Sequence, residues 1–91
     1  MASKKGSSDT KKMKKFVDEP MRDKPVTEVP GIGDVHGDSL KEDGFDTAKK
    51  LLGKYLQDPD NFKKFLKSHG LNSRERDTVY DAMKRWDDQH N

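Results

Sequence analysis

The fold of this chain is decided by one stretch, Val26-x-x-Val29-Pro30-Gly31-Ile32-Gly33-x-x-x-Gly37-x-x-Leu40. Its two valines are apolar neighbours on one helical turn, at about residues 25–29, and the proline ends that turn. The two glycines that follow permit backbone angles and close contacts that a Cβ forbids, so we expect a tight reversal. A second helix is predicted at about residues 34–43, with Ile32, Val35 and Leu40 pointing inward.

The main-chain N–H groups at and just after Gly33 open this second helix. Amides at a helix N-terminus lack intrahelical partners, and they bind a phosphate oxygen without any basic side chain. The spaced pattern resembles the helix-hairpin-helix family, which implies sequence-independent contact with duplex phosphates. The alternative is a plain turn between packed helices, as in SAM-type interaction modules. Asp38 and Ser39 stand where helix-hairpin-helix proteins often carry a basic residue, and this should weaken affinity.

Composition limits the chain to one domain with a thin core. It has 91 residues, of which 29% are apolar and 40% are charged, so the sequence lies near the border with disorder. Most apolar residues nevertheless fall after Phe16 at helical spacing, which predicts folding. The chain has no cysteine, which excludes disulfides and thiolate metal sites. No apolar run is long enough to insert into a membrane, and no secretory segment is expected.

The net charge of +2 is unevenly distributed along the chain. Residues 1–15 carry six lysines against one aspartate, whereas the remainder carries 13 basic and 16 acidic residues. We therefore predict a disordered basic tail at residues 1–10 and a mildly acidic helical domain at residues 11–91. A DNA-binding site on such a domain must be local and built from backbone donors. The run at residues 11–15 is either a nuclear-localisation signal or part of a solubilising tail.

The other apolar repeats also have helical spacing, and no segment alternates with period two over a useful length. They predict helices at about residues 10–18, 47–57, 59–69 and 73–89. The predicted caps are Thr10, Asp46, Asp58 and the capping box Asn72-x-x-Glu75, with Gly44 and Gly70 as the residues that follow a helix. The predicted fold class is all-α, a compact SAM-like bundle of about five short helices.

A longer set of motifs extends across residues 11–88. It comprises Phe16-Val17-x-Glu19-Pro20-Met21-x-Asp23-Lys24-Pro25-Val26, Gly31-Ile32-Gly33, Gly44-Phe45-Asp46-x-Ala48, Leu52-Gly53-x-Tyr55-Leu56, Phe62-x-x-Phe65-Leu66-Lys67 and Trp86. These motifs resemble the barrier-to-autointegration factor family. The resemblance implies a small homodimer that bridges two DNA duplexes and binds LEM-domain proteins of the inner nuclear envelope. It places the protein in the nucleus, with the cytoplasm as a further location.

The resemblance also implies which residues contact DNA and which form the dimer. The DNA-contacting set is Lys12, Lys24, Gly31, Ile32, Gly33, Val35, Ser39, Asn72, Arg74 and Arg76. The dimer interface is Leu52, Gly53, Tyr55 and Leu56. Gly53 stands inside a helix, where glycine costs about 1 kcal/mol relative to alanine, so a close contact is expected there. The family's LEM-binding groove surrounds a longer, basic connection than residues 57–61, which argues against LEM binding here.

The sequence offers no site for a metal, a cofactor or catalysis. His36, His69 and His90 are far apart and lack neighbours at metal-ligand spacing. Asp58-x-Asp60-Asn61 begins like an EF-hand loop, but the required glycine and twelfth-position acid are missing. We therefore expect a protein that is not an enzyme. Besides DNA bridging, two alternatives remain open: a SAM-like protein-interaction adaptor, and a degenerate relative that has lost DNA affinity.

Overall fold

The computed structural model describes residues 11–90. The predicted tail at 1–10, the predicted cap at Thr10, and Asn91 lie outside the described residues. The helices are α1 at residues 11–18, a 3₁₀ turn at Val26–Glu28, α2 at Asp34–Glu42, α3 at Ala48–Gln57, α4 at Pro59–Ser68 and α5 at Ser73–His90. The described chain has a single isolated β-bridge, between Pro25 and Thr47. The predicted all-α class and the five α-helices are confirmed.

The capping residues determine where most helices begin and end. Asn72 and Glu75 form the predicted capping box: the Asn72 N–H donates to Glu75 Oε1 at 2.8 Å, and the Glu75 N–H donates to Asn72 Oδ1 at 2.9 Å. Gly44 and Gly70 follow α2 and α4 with φ of +91° each, as predicted. Asp58 is the N-cap residue of α4, although its side chain makes no bond to the helix backbone.

The predicted cap of α3 is wrong by one residue. Thr47 is the N-cap, and its Oγ1 accepts a hydrogen bond from the Lys50 N–H at 3.3 Å. The Asp46 carboxylate instead pairs with Lys50 Nζ at 2.9 Å. The main-chain carbonyl of Asp46 accepts a hydrogen bond from the Val26 N–H at 3.0 Å. Asp46 is thus used to join α3 to the 3₁₀ turn, which leaves the capping position to the next residue.

Every helix contributes to one apolar core. Its largest fully buried side chains are Phe16, Val26, Val29, Ile32, Leu40, Leu51, Phe62, Leu66, Leu71, Val79 and Met83. The inner face of the hairpin is therefore part of the core, and Ile32 points inward as predicted. Val35 does not: its side chain is 79% exposed, whereas Leu40 is fully buried. Positions 37 and 40 share the inward face of α2, and Val35, two residues before Gly37, falls on the opposite face.

Candidate nucleic-acid interface

The reversal before α2 is a tight turn seated on α5. The Ile32 N–H donates to the Val29 carbonyl at 3.1 Å, with Pro30 second in the turn and Gly31 third at φ +94°. Proline followed by a residue of positive φ is the pattern of a type II turn. A Cβ on Gly31 would lie 2.9 Å from Cγ2 of Val79, a core residue of α5. Glycine is therefore required there by both the turn and the contact with α5.

The second glycine of the hairpin has a different surrounding. Gly33 is the N-cap of α2, with φ −97° and ψ −171°, angles that any residue adopts. A Cβ on Gly33 would meet no atom within 4 Å, and no side chain caps the helix. The first helical bond runs from the Gly37 N–H to the Gly33 carbonyl at 2.8 Å. Within residues 11–90, the N–H groups of residues 33–36 therefore have no hydrogen-bond acceptor.

Gly37 allows α2 to lie close to the 3₁₀ turn. A Cβ there would lie 2.5 Å from Cγ2 of Thr27, in the 3₁₀ turn. The absent side chain therefore allows α2 to pack directly against the first segment of the hairpin.

The two lysines of the expected DNA-contacting set lie in different environments. Lys12 is exposed, and its Nζ donates to the Thr27 carbonyl at 3.3 Å, beside the hairpin. Lys24 is only 12% exposed, and its Nζ lies 2.7 Å from Glu19 Oε1. The hydrogen bond from Lys24 holds the pKa of the Glu19 carboxyl below its usual value. The charge of Lys24 is thus already matched inside the chain.

The start of α5 lies beside the hairpin, through the Gly31 contact. Asn72 is occupied in the capping box, and Arg76 Nη1 donates to the Leu71 carbonyl at 2.9 Å. Arg74 is exposed, and no ion pair joins its guanidinium to a carboxylate in the part of the chain that the structure describes. Of the three α5 residues that the resemblance implies, Arg74 is therefore the one that presents its charge to solvent.

Ser39 is engaged elsewhere in the molecule. Its hydroxyl lies 2.8 Å from Nδ1 of His69, whose Nε2 lies 3.1 Å from Asp43 Oδ2. These bonds tie α2 to the end of α4. A second histidine, His36, lies 3.2 Å from Glu75 through its Nε2. Neither link was predicted, because each joins residues about 30 or more positions apart and no local spacing in the sequence connects them.

The residues expected at the dimer interface divide into two pairs. Leu52 and Tyr55 are 7% and 6% exposed and belong to the core of this chain. The Tyr55 ring makes an edge contact with Phe62, at 5.5 Å between centroids. Leu56 is 51% exposed, and a Cβ on the exposed Gly53 would meet nothing within 4 Å. Contacts among residues 11–90 therefore give no reason for glycine at position 53.

Comparison with known proteins identifies the family. The model of the barrier to autointegration factor family matches residues 7–90. This chain belongs to the barrier-to-autointegration factor family. It is 40% identical over 86 residues to barrier-to-autointegration factor of Danio rerio, covering 90% of this chain and 96% of the relative. The human protein of that name is 39% identical over 83 residues, covering 87% and 93%. Barrier-to-autointegration factor 1 of Caenorhabditis elegans is 40% identical over 82 residues, covering 86% and 92%.

The match to the barrier-to-autointegration factor family includes the hairpin, the exposed face of α3 and the start of α5. It also includes the connection between α3 and α4, which in this member is the single residue Asp58. Of the helices in residues 11–90, none has the length and apolar character needed to cross a membrane. The same residues contain no cluster of three His, Cys, Asp or Glu side chains arranged to hold a metal ion.

Proposed function

We propose that this member of the family binds double-stranded DNA without sequence preference, by placing phosphate oxygens against the N-terminus of α2. One observation carries the proposal: the N–H groups of residues 33–36 have no acceptor in the described chain and open onto an exposed glycine. Free amides at the positive end of a helix dipole form an anion-binding site. Membership of the barrier-to-autointegration factor family supports a DNA-binding, chromatin-associated role.

Gly33 supports the same conclusion, because nothing in the part of the chain that the structure describes requires glycine at that position. Its backbone angles suit any residue, and a Cβ would meet no neighbour. A side chain that accepts hydrogen bonds at this N-cap position would, however, occupy the free amides and compete with a bound phosphate. We infer that position 33 is kept free of a capping side chain for an external ligand, unlike position 31, where the turn itself needs glycine.

The charges around α2 favour backbone donors over side chains as the main source of affinity. Between Asp34 and Asp43 the chain carries four carboxylates and one lysine. An amide N–H carries a partial positive charge whatever side chains surround it, so it binds a phosphate oxygen even though the nearby carboxylates oppose an anion. Exposed positive charges are supplied by Lys12, whose Nζ reaches the Thr27 carbonyl in the hairpin, and by Arg74 at the start of α5; Val35 is exposed as well.

Titration of the purified protein with random-sequence duplexes tests the proposal. Affinity should fall as salt is added, because phosphate contacts release counterions, and it should barely change with base sequence. Duplexes of contrasting base composition provide the control. If no binding is measured at moderate salt, the DNA-binding proposal is wrong, and the SAM-like adaptor or the degenerate relative becomes the better description.

We further propose a homodimer formed through the exposed face of α3, with Gly53 and Leu56 at its centre. A two-fold axis would copy the hairpin, so that one dimer binds two duplexes and bridges them. Leu56→Glu should give monomers that remain folded, because Leu56 is half-exposed, whereas a charge at the buried Leu52 would disrupt the core itself. Sedimentation velocity measures the assembly, and capture of a labelled duplex by an immobilised one measures bridging. A Leu56→Glu variant that remains dimeric would contradict this interface.

The partners and location follow from the same proposal. DNA and a second copy of the chain are the proposed partners, and the nucleus is the proposed location. The connection between α3 and α4 is a single residue, shorter than the basic connection around which the family forms its LEM-binding groove, so we propose that LEM-domain binding is lost. Binding of a purified LEM domain, measured by calorimetry, would contradict that part of the proposal.

A further inference from the structure

We propose that His36 is a positioning residue that couples the phosphate-binding end of α2 to the start of α5, and that its protonation tightens DNA binding. This inference rests on the proposed DNA-binding function and concerns the same site. His36 has two roles in the geometry: its main-chain N–H belongs to the free set at the start of α2, and its ring contacts α5.

The ring of His36 is held in one place. Nε2 lies 3.2 Å from Glu75 Oε1, and the side chain is 21% exposed. The turn before α5 packs against the ring, since a Cβ on Gly70 would lie 3.7 Å from its Cε1. A rotation of α2 on the protein surface would therefore break the contact with Glu75 and move the ring away from the turn.

The partner of His36 is also fixed. Glu75 Oε1 accepts the Asn72 N–H at 2.8 Å, so the carboxylate is anchored in the capping box whatever the state of the histidine. Arg74, the exposed cation of this helix end, precedes Glu75 directly in the chain. The His36–Glu75 contact thus sets the spacing between the free amides of α2 and the positive charge at the start of α5.

A proton on His36 would act on both parts of the site. Imidazole is the side chain whose charge ordinarily changes between about pH 5 and pH 8. The imidazolium would strengthen the contact with the Glu75 carboxylate and add one positive charge beside the phosphate-binding amides. It would also offset the exposed carboxylates of its own helix, Asp34 and Asp38. The turn that packs against the ring from the α4 side contributes the Gly70 backbone, and the adjacent His69 is directed to Ser39 and Asp43.

The test is the pH dependence of DNA affinity at constant ionic strength, measured with one random-sequence duplex. The wild type should bind about threefold more tightly at about pH 6 than at about pH 8, the effect of one partly exposed charge pair. His36→Gln keeps a donor for Glu75 but does not titrate, so its affinity should be nearly constant. His36→Ala loses both the link and the imidazole, so its affinity should be nearly constant with pH; it should lie about threefold below wild type at about pH 8 and further below it at about pH 6.

His69→Gln and His90→Gln are the matched controls, because the chain has three histidines and the ring nitrogens of these two contact Ser39, Asp43 and the Val17 carbonyl rather than Glu75. Both should retain the wild-type pH profile. Circular dichroism of each variant at both pH values checks that the helices persist. A His36→Gln variant with the wild-type pH profile would overturn the inference, as would loss of that profile in either control. Absence of DNA binding at every pH would instead refute the proposed function.

Discussion

Replacing Gly33 by aspartate should stabilise the protein and at the same time weaken its DNA binding. An aspartate at the N-cap of α2 accepts hydrogen bonds from the amides of residues 35 and 36, which are free in the native chain. Nothing within 4 Å obstructs a side chain at this position, so the fold should accommodate it. The same bonds that satisfy the helix remove donors from the phosphate site.

The magnitudes follow from those bonds. A capping carboxylate at a helix N-terminus contributes about 0.5 kcal/mol over glycine, which should raise Tm by about 2–4 °C in a domain of this size. Two amide-to-phosphate bonds at about 1.5 kcal/mol each amount to about 3 kcal/mol, or roughly a hundredfold in Kd. Gly33→Asp should therefore gain stability and lose affinity, whereas a misfolded variant would lose both.

Thermal unfolding and fluorescence anisotropy with a labelled duplex provide the two readouts. Gly33→Ala is the matched control: it adds a Cβ but leaves every amide free, so it should keep affinity within about twofold of wild type, less than the cost of one lost hydrogen bond. Gly33→Asn caps the helix without charge and should fall between the other two variants. If Gly33→Asp binds DNA as tightly as the wild type, the N-terminus of α2 does not hold phosphate and the proposed site is wrong.

Three further predictions follow from the hairpin and its surroundings. Gly31→Ala should lower the free energy of unfolding by about 2–3 kcal/mol, since it combines a positive φ with a clash against α5; chemical denaturation measures this, and a loss below 0.5 kcal/mol would contradict the turn geometry. Gly37→Ala should cost about 1–3 kcal/mol, and Thr27→Ser, which removes the clashing methyl group, should restore most of it in a double-mutant cycle; simple additivity would show that the two positions are not coupled. Glu19→Gln should release Lys24 and tighten DNA binding about threefold, which is the effect of one exposed charge. A thermal melt followed by tryptophan fluorescence is the folding control, and unchanged affinity would exclude Lys24 from the interface. The pKa of Glu19 is lower in the folded state than in the unfolded state. The Glu19 carboxylate therefore stabilises the fold above its unfolded-state pKa, and this contribution is lost as the pH falls through the folded-state pKa. The wild type and Glu19→Gln should therefore converge in Tm under acidic conditions.

The sequence predicted the helices well because their ends are marked locally. The Asn72–Glu75 capping box and the glycines after α2 and α4 act over three or four residues, and a single sequence displays that spacing directly. The cap of α3 was misplaced by one residue because Asp46 and Thr47 are both good N-cap residues. The choice between them depends on Val26, twenty positions away, whose N–H binds the Asp46 carbonyl.

The candidate site was less accessible to sequence reasoning. The glycine pattern predicts the hairpin and the helix end. The prediction that Val35 points inward is wrong, because the face of a short helix that packs depends on neighbours that the sequence does not reveal. Lys24 carries the charge that a phosphate would need, and only the structure shows Glu19 already bound to it. The histidine contacts at positions 36 and 69 join residues 39 and 30 positions apart along the chain, beyond the reach of any periodic pattern.

The difference between the two hairpin glycines is the strongest argument for a ligand at this surface. A glycine that serves only the fold has a reason inside the molecule: Gly31 has a positive φ and a neighbour 2.9 Å from its missing Cβ, and Gly37 has Thr27 at 2.5 Å. Gly33 has neither, although a capping side chain there would stabilise α2. Without such a cap, the N-terminus of α2 leaves the four N–H groups of residues 33–36 unpaired on an acidic surface, and this lowers the stability of the protein. An anionic ligand that occupies those donors accounts for this arrangement, whereas a turn that only connects two packed helices does not.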